Sequence, residues 1–579
     1  MIAKMQPNAV WKSELFQMFR RVAARMDTRL ALSAVLLCTA GCAGATDYFV
    51  NSNRPNDSGD GLSLATAKKT VQAAIALASN GDSVHVAVGT YSGTIGIDKS
   101  LILSGAQAGV DGRTRSVPQS QESVLQPGGS GAVTIQFLAD NITLDGFTVL
   151  GDPANTLTDV IGIQMYNSFS GGKVLNNIIT RNTIGAYPSG NGAAQTIYQF
   201  NLFSANTLPG GGSGNGIYTD FGLKNALIAS NVFTGNTNAG VLLTGAPTGP
   251  NSGVTVQNND ITNGGIGVLL AFTSASTVDG NRISAVSQGV QIRGANNTIS
   301  ITNNTVTDVR QWPIVCFTRS DVGIDSRDIT ITGNTINQNV TNFSTLPGTF
   351  TSRAAIDVRN VRGQVTIAQN IVTLSGVLPP SVPRVPGIEV QGATTGYVNI
   401  ALNELHGGNL DPALSTTLGA GVRIDADLPT ASTVDVKFNK VSGFTYGVDS
   451  LVANSENTIH VNYNDLAGAP AINNEGADPL DGLYNWYGQS SGPGSPSNPG
   501  GTGAAVSSNV RFKSWLGKGD DLTPLDTSTR AAFLASVGFQ TAGGPLTINS
   551  EAAATPNPAY AGDTVRFSAA GSDPLDRPI

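Results

Sequence analysis

Apolar and polar positions along this chain follow a short unit: apolar, two residues, Asn, one residue, apolar. It reads VLNNII (Val174–Ile179), IASNVF (Ile228–Phe233), VQNNDI (Val256–Ile261), VDGNRI (Val278–Ile283), ITNNTV (Ile301–Val306), ITGNTI (Ile331–Ile336), IAQNIV (Ile367–Val372), IALNEL (Ile400–Leu405), VKFNKV (Val436–Val441) and VNYNDL (Val461–Leu466), with YQFNLF (Tyr198–Phe203) as a looser copy. The repeated residues are Asn177, Asn201, Asn231, Asn259, Asn281, Asn304, Asn334, Asn370, Asn403, Asn439 and Asn464, spaced 22 to 36 apart. At strand rise, about 22 residues make one coil of three short strands. Longer intervals add residues to loops. Such coils stack into a parallel β-solenoid. Stacked Asn amides can hydrogen-bond along a ladder, and Asn also tolerates the left-handed backbone of a tight turn. A turn ladder is therefore expected here, in preference to a polar binding stripe.

A second strand type follows each Asn unit and usually opens with Gly: GIQMY (Gly162), GIYTD (Gly216), GVLL (Gly240), GVLLA (Gly267), GVQIR (Gly289), AIDVR (Ala355), GIEVQ (Gly387), GVRID (Gly421) and GVDSL (Gly447). Its apolar residues alternate, so one face lines a core. Cys316 in PIVCFTR falls on the inward register, as a buried, inert thiol. Upstream, TVQAAIALA (Thr70–Ala78) has helical apolar spacing and would cap the first coil, sealing an otherwise open edge.

Composition agrees with strands and tight turns. Of 579 residues, 69 are Gly and 49 Asn, and only 13% are charged, against about 25% in an average soluble chain. Hydrophobic content of 40% is too high for disorder. A net charge of −7 opposes sequence-independent nucleic-acid binding. Three Cys exclude a disulfide scaffold.

Both ends depart from the repeat. Arg20, Arg21, Arg25 and Arg29 precede the apolar run Leu30–Gly41, whose 12 residues are too few for a membrane span of about 20. Ala43-Gly44-Ala45 then offers a cleavage site, so residues 1–45 read as a secretory signal, with Met18 or Met26 as alternative starts. Thr39-Ala40-Gly41-Cys42 resembles a lipobox, in which the leader ends at 41 and Cys42 carries the lipid. The two readings stand side by side, and both export the chain. No further apolar run is long enough to span a membrane. At the other end, 541–579 looks like the first strands of an immunoglobulin-like, PKD-type module. A sandwich of that kind needs about 100 residues, so a truncated segment is expected.

TVQAAIALA followed by GDSVHVAVGTY resembles the start of right-handed parallel β-helix proteins of the pectate-lyase-like superfamily, where "TIQAAIDAA" precedes "GDTVYVAPGTY". YFVNSNRPNDSGDGLSLATAKKT looks like their opening strand and lead-in. NWYGQSSGP (Asn485–Pro493) with VSSNVRFKSWLG (Val506–Gly517) resembles their last coil. The resemblance implies an all-β, right-handed parallel β-helix over 46–540, with roughly 11–13 coils and an N-terminal capping helix. It also implies contact with carbohydrate, a polysaccharide or a surface glycan. It does not fix the chemistry. The polygalacturonase set (NTD, DD, GHG, RIK) does not occur as a set, and the DPHE of uronan epimerases and the vWiDH and RxPxxR patterns of pectate lyases are absent from the sequence.

Stacking the Gly-initiated strands puts Gln164, Tyr218, Leu242, Leu269, Gln291, Asp357, Glu389, Arg423 and Asp449 in one outward column. Tyr166, Asp220, Thr244, Ala271, Arg293, Arg359, Gln391 and Asp425 form a second. Tyr166, Tyr187 and Tyr218 offer flat faces for sugars, with Arg293 as a further binding residue. Asp357 and Glu389, one coil or about 4.8 Å apart, approach the roughly 5–5.5 Å carboxyl separation of retaining glycosidases. Arg359 or Arg423 could instead neutralise a uronate while a base removes its α-proton, with Asp425 alongside. Against both stands an ion-pair ladder in which these charges satisfy one another. Two functions are thus expected: a surface protein binding glycan on this face, or a lyase or hydrolase using Asp357, Arg359, Glu389, Arg423 and Asp425. The three His fall in different coils and make no metal site, and no cofactor is indicated. A Ca²⁺ held by scattered Asp residues stays open. No P-loop, dinucleotide fingerprint or Ser nucleophile elbow is present.

Overall fold

The computed structural model describes residues 44–516, except 116–118, 318–325, 345–352, 380–381, 383, 393, 411–418, 426–431, 454–457, 468–469 and 514, and beyond them the strands Ala553–Thr555 and Arg566–Ser568. The chain divides into two units, Met1–Asp47 and Tyr48–Ile579. The expected export signal and Cys42 lie outside the described residues. Of 541–579 only the two short strands are described, and they pair antiparallel. The structure below is that of the second unit.

Each coil visits three sheets in turn. Sheet A has 17 strands, and sheets B and C have 14 each. In one coil, Lys224–Ala229 lies in sheet A, Val232–Thr234 in sheet B and Ala239–Leu243 in sheet C. All the pairings between coils are parallel, and like stacks on like: Ile228 on Val256, Val256 on Val278, and Val278 on Ile301. The inward residues form one continuous apolar core, in which Phe203 and Phe233 stack at 4.9 Å and 9°. The fold is a right-handed parallel β-helix.

What reads in the sequence as one Asn strand is two, because the Asn stands at the corner between sheets A and B. The Asn residues are buried there, and each amide joins its neighbours. Asn231 Nδ2 donates to Tyr198 O (2.9 Å) and Asn259 Oδ1 (3.0 Å), while Asn231 Oδ1 accepts from Asn201 N and Nδ2, both at 3.0 Å. The ladder runs one coil past the repeat, since Asn485 Oδ1 accepts from Asn464 N at 2.8 Å. One expectation is corrected. The left-handed backbone belongs to the residue before each ladder Asn, such as Ser230 (φ 54°), Asn258 (φ 52°) or Phe438 (φ 58°). The Asn itself is needed for its amide, which satisfies corner N–H and C=O groups that no strand can reach. A second, shorter ladder, Asn182–Asn206–Asn236, does the same at the corner leading to sheet C.

Among the described residues sheets B and C have 14 strands each, close to the roughly 11–13 coils expected. Two coils outside the Gly-initiated set read from the sequence carry sheet C strands Ile184–Pro188 and Ile314–Phe317, the latter opened by Pro313 instead of Gly. The capping helix spans Val71–Leu77, with Thr70 as N-cap accepting from Ala73 N at 3.3 Å. Val71, Ala74 and Ile75 face the core. Gln72 bonds both N–H and C=O of Gly96, and Lys99 Nζ caps the last turn through Ile75 O (2.7 Å). Cys316 is fully buried, and burial pushes its thiol pKa up, so it is inert as expected.

Replacing Asn231 by Ala would strand the Asn201 N–H and the Tyr198 carbonyl inside the corner, while Asn259 Oδ1 keeps only the backbone N–H of residue 231. The expected loss is on the order of 2–5 kcal/mol, read as a lower midpoint in urea unfolding.

Candidate functional site

The register of sheet C sets the outward column, because equivalent residues of successive strands lie side by side. It runs Gln136, Gln164, Tyr187, Tyr218, Leu242, Leu269, Gln291, Val315, Asp357, Glu389, Arg423, Asp449, Asn473. Two coils inside the expected column insert Tyr187 and Val315, and Gln136 and Asn473 extend it at its ends. Three chemically distinct stretches result.

The first is aromatic. Tyr187 and Tyr218 stack, with ring centroids 5.6 Å apart and an angle of 18°. Both hydroxyls donate to one carboxylate: Tyr187 to Asp220 Oδ1 (2.5 Å) and Tyr218 to Asp220 Oδ2 (3.0 Å). Burial, then the Asp220 hydrogen bond and charge, raise the Tyr187 phenol pKa. Burial and the same carboxylate push Tyr218 up to about 12. Phe221, 61% exposed, meets the Tyr187 ring edge-on at 6.2 Å. Tyr166 is 37% exposed and accepts from Gln136 Nε2 at 3.3 Å. Asp220 and Phe221 complete this surface. Asp220 stood in the second column of the sequence, but its role needed the side-chain geometry.

The second stretch is apolar. Leu242, Leu269 and Ala271 point outward yet are buried, packed with Tyr218, Ile266 and Phe272. Arg293 lies beyond them, in register with Phe317 and on a strand three coils from that of Tyr218.

The third stretch is ionic and also buried. Asp357 is 0% exposed, Glu389 1%, Asp449 2% and Arg423 5%. The ladder anticipated on an exposed face is thus covered. Arg359 forks onto Asp357, with Nε to Oδ1 at 2.8 Å and Nη2 on Oδ2, and Gln391 Nε2 adds a bond at 3.1 Å. Burial opposes the charge of Arg359, but Asp357 outweighs it and the guanidinium pKa rises. Arg423 contacts Glu389 (3.2 Å), Asp449 (2.8 Å) and, at 4.0 Å, Asp425. Burial raises the Asp449 carboxyl pKa despite Asn473 and Arg423. Trp312 lies under two guanidiniums, Arg353 at 4.6 Å and Arg359 at 5.5 Å. Burial, then Arg359, lower the Arg353 pKa to about 10. Asp357 and Glu389 are register neighbours, but each has its own guanidinium.

Two polar clusters lie on sheets A and B, outside the columns of the Gly-initiated strands. On sheet A, Asp435 takes three donors: Tyr397 OH (2.7 Å), Lys437 Nζ (2.9 Å) and His460 Nδ1 (2.7 Å). On sheet B, His406 bridges Glu404 (3.0 Å) and Ser442 (3.0 Å). The signal lay in the spacing of one coil between Asp435 and His460, and between His406 and Ser442. Among the described residues, no group of three or more His, Cys, Asp or Glu could hold a metal ion. Likewise, no described helix is long and apolar enough to cross a membrane.

The family model described as a right-handed beta helix region matches residues 162–372 and, in an overlapping match, 249–405. No curated protein matches the chain. Among solved structures it is similar to the Dettilon tailspike protein gp208, with 13% identity, 66% of this chain and 70% of that chain covered, and a TM-score of 0.45. It is similar to the mannuronan C-5 epimerase AlgE6 A-module of Azotobacter vinelandii at 12% identity, 68% and 94% coverage and a TM-score of 0.37. It is also similar to a PL6 alginate lyase in complex with a trisaccharide, at 14% identity, 70% and 87% coverage and a TM-score of 0.38. These likenesses concern the fold.

Asp435 has a carboxyl pKa below the usual 3.8: burial raises it, but the bonds from Lys437, His460 and Tyr397 lower it further. The folded state therefore binds this proton less readily than the unfolded state. The stabilisation is complete above pH 3.8 and is lost as pH falls through that value toward the depressed one. Asp435→Asn is expected to cost about 1–3 kcal/mol at pH 7. Its difference from the parent chain should shrink below about pH 4, as measured by thermal unfolding across pH 3–7.

Proposed function

We propose that this chain is exported and binds a polysaccharide along the outer face of sheet C. One observation carries the reading: Tyr187 and Tyr218 are stacked with both hydroxyls held by Asp220. Ring faces suit the C–H faces of sugars, and a carboxylate beside them accepts sugar hydroxyls. Phenols locked on a carboxylate have little rotamer freedom left to lose on binding. Phe221 and Tyr166 extend the surface with exposed rings. The ligand class is a surface or secreted glycan, and Arg293 would meet it farther along the face.

A second reading, cleavage of the polymer at Asp357, Glu389 and Arg423 with Arg359 and Asp425, has one supporting observation. The two carboxylates are neighbours in register on adjacent coils. A retaining pair must reach the sugar from both sides of the bond, and both carboxylates are buried, each held by a guanidinium. Binding is therefore the preferred reading.

Affinity electrophoresis through gels containing neutral or uronate-rich polysaccharides tests it. The parent chain should be retarded by at least one polymer, and Tyr187→Ala with Tyr218→Ala should weaken that retardation about tenfold or more, equal to roughly 1.4 kcal/mol. Equal retardation of parent and variant would refute the aromatic site. Size-exclusion chromatography of the same polymers after incubation addresses cleavage. Shortening that vanishes in Asp357→Asn with Glu389→Gln would establish the second reading instead.

A further inference from the structure

On the outer face of sheet B, two consecutive coils bring Glu404, His406 and Ser442 into one line. Glu404 and His406 stand two residues apart on the strand Glu404–Leu410, so their side chains share a face. Ser442 ends the strand Lys440–Ser442 of the next coil, in register with His406. His406 Nε2 lies 3.0 Å from Glu404 Oε1, and His406 Nδ1 lies 3.0 Å from Ser442 Oγ. A glycine follows both His406 and Ser442. A Cβ at Gly407 would meet Gly443 O at 2.4 Å, so the two strand ends approach this closely only without one. Gly443, exposed and at φ 75°, adds no side chain beside Ser442 Oγ. Exposure rises along the line: the Glu404 side chain is buried, while His406 and Ser442 are half-buried and open to solvent.

We infer that Ser442, His406 and Glu404 form a serine hydrolase site that takes a carboxylic ester. The site uses no residue of sheet C and stands independently of the polysaccharide reading. A neutral imidazole carries one N–H, and a carboxylate only accepts. Glu404 therefore fixes that N–H at Nε2 and leaves Nδ1 bare to take the Ser442 proton. Nucleophile, base and orienting acid then stand in the order that covalent acyl transfer requires. In acylation, Ser442 Oγ bonds to the ester carbonyl carbon and His406 Nδ1 takes its proton. The bond from that carbon to the alcohol oxygen breaks, and His406 gives the proton to the leaving alcohol. In deacylation, a water loses a proton to His406 and its oxygen bonds to the acyl carbon. Ser442 Oγ leaves, takes the proton back, and a carboxylic acid departs. Glu404 touches no substrate: it is a positioning residue that holds the ring and steadies its charged form. Lys440, on the same face two residues before Ser442 and 3.7 Å from Glu404 Oε1, adds a positive charge of the sign that a tetrahedral oxyanion needs. Esters are the substrate class because an alcohol leaves more readily than the amine of an amide.

Hydrolysis of p-nitrophenyl acetate by the whole chain tests the site. Ser442→Ala and His406→Gln should each release p-nitrophenol about 100-fold more slowly than the parent chain. Glu404→Gln should lower kcat about tenfold or more with KM unchanged, a split that loss of a purely structural contact would not produce. His85→Gln removes an imidazole from a distant coil and should leave the rate as it is. The inference falls if Ser442→Ala matches the parent, or if His85→Gln loses as much as His406→Gln.

Labelling of the unmutated chain keeps the test independent of whether the variants fold. Diisopropyl fluorophosphate phosphorylates a serine that has an adjacent base and leaves ordinary serines alone. Peptide mass spectrometry should find its adduct on Ser442, and the labelled chain should lose its esterase activity in proportion. A chain that takes no label at Ser442, or that keeps full activity once Ser442 is labelled, overturns the inference.

Discussion

The structure depends on satisfying backbone polar groups at a corner that is buried in every coil. Where the chain leaves sheet A, its N–H and C=O groups can reach neither strand partners nor water. Leaving them unpaired would cost about 1–3 kcal/mol each. A ladder of side-chain amides from Asn177 to Asn485 supplies the missing partners, with each Asn bonded to the Asn one coil on. Asp cannot replace it as an acceptor and donor at once, and Ser is too short to reach both ways. The ladder ties each coil to the next at one fixed point, so insertions are admitted only elsewhere. That is why the spacing of the Asn residues varies from 22 to 36 without disturbing the register.

A fixed register turns the outer surface into columns, and columns allow segregation. Sheet C shows aromatic, apolar and ionic stretches in succession instead of an even mixture. In a chain with only 13% charged residues, the cluster of Asp357, Arg359, Glu389, Arg423 and Asp449 is a deliberate concentration. Buried ion pairs contribute little net stability, because desolvation offsets most of their attraction. Their effect is selectivity of pairing: a one-residue slip would leave Arg423 without Glu389 and Asp449 and would bury three unpaired charges. The aromatic end has the opposite character. It is partly open, and its single carboxylate holds two phenols in place.

Much of this was legible in the chain. The repeat, its minimum length and the alternation of the Gly-initiated strands were enough for a parallel solenoid, a capping helix and a buried Cys316. The columns holding Tyr218, Asp357, Glu389 and Arg423 followed from the same alternation. Tyr187 and Val315 escaped the columns for different reasons: the Tyr187 strand keeps its Gly, at Gly185, but follows it with the small Ala186, whereas the Val315 strand opens with Pro313. Asp435 with His460, and His406 with Ser442, escaped because residues one coil apart in space are about 25 to 36 apart in sequence, and loop length hides that period.

Period and alternation alone determined which residues face the core and which face outward, because pleating leaves a side chain only two directions. The sequence could not decide which outward residues meet water. That depends on what the loops cover, and it made a buried network of the charged face while leaving Phe221 and Tyr166 open. Nor could it decide whom each charge pairs with, since Arg423 chooses among Glu389, Asp425 and Asp449 only once three coils are stacked at contact distance. Local chain geometry is set by neighbours in sequence, whereas burial and electrostatic pairing are set by neighbours in space.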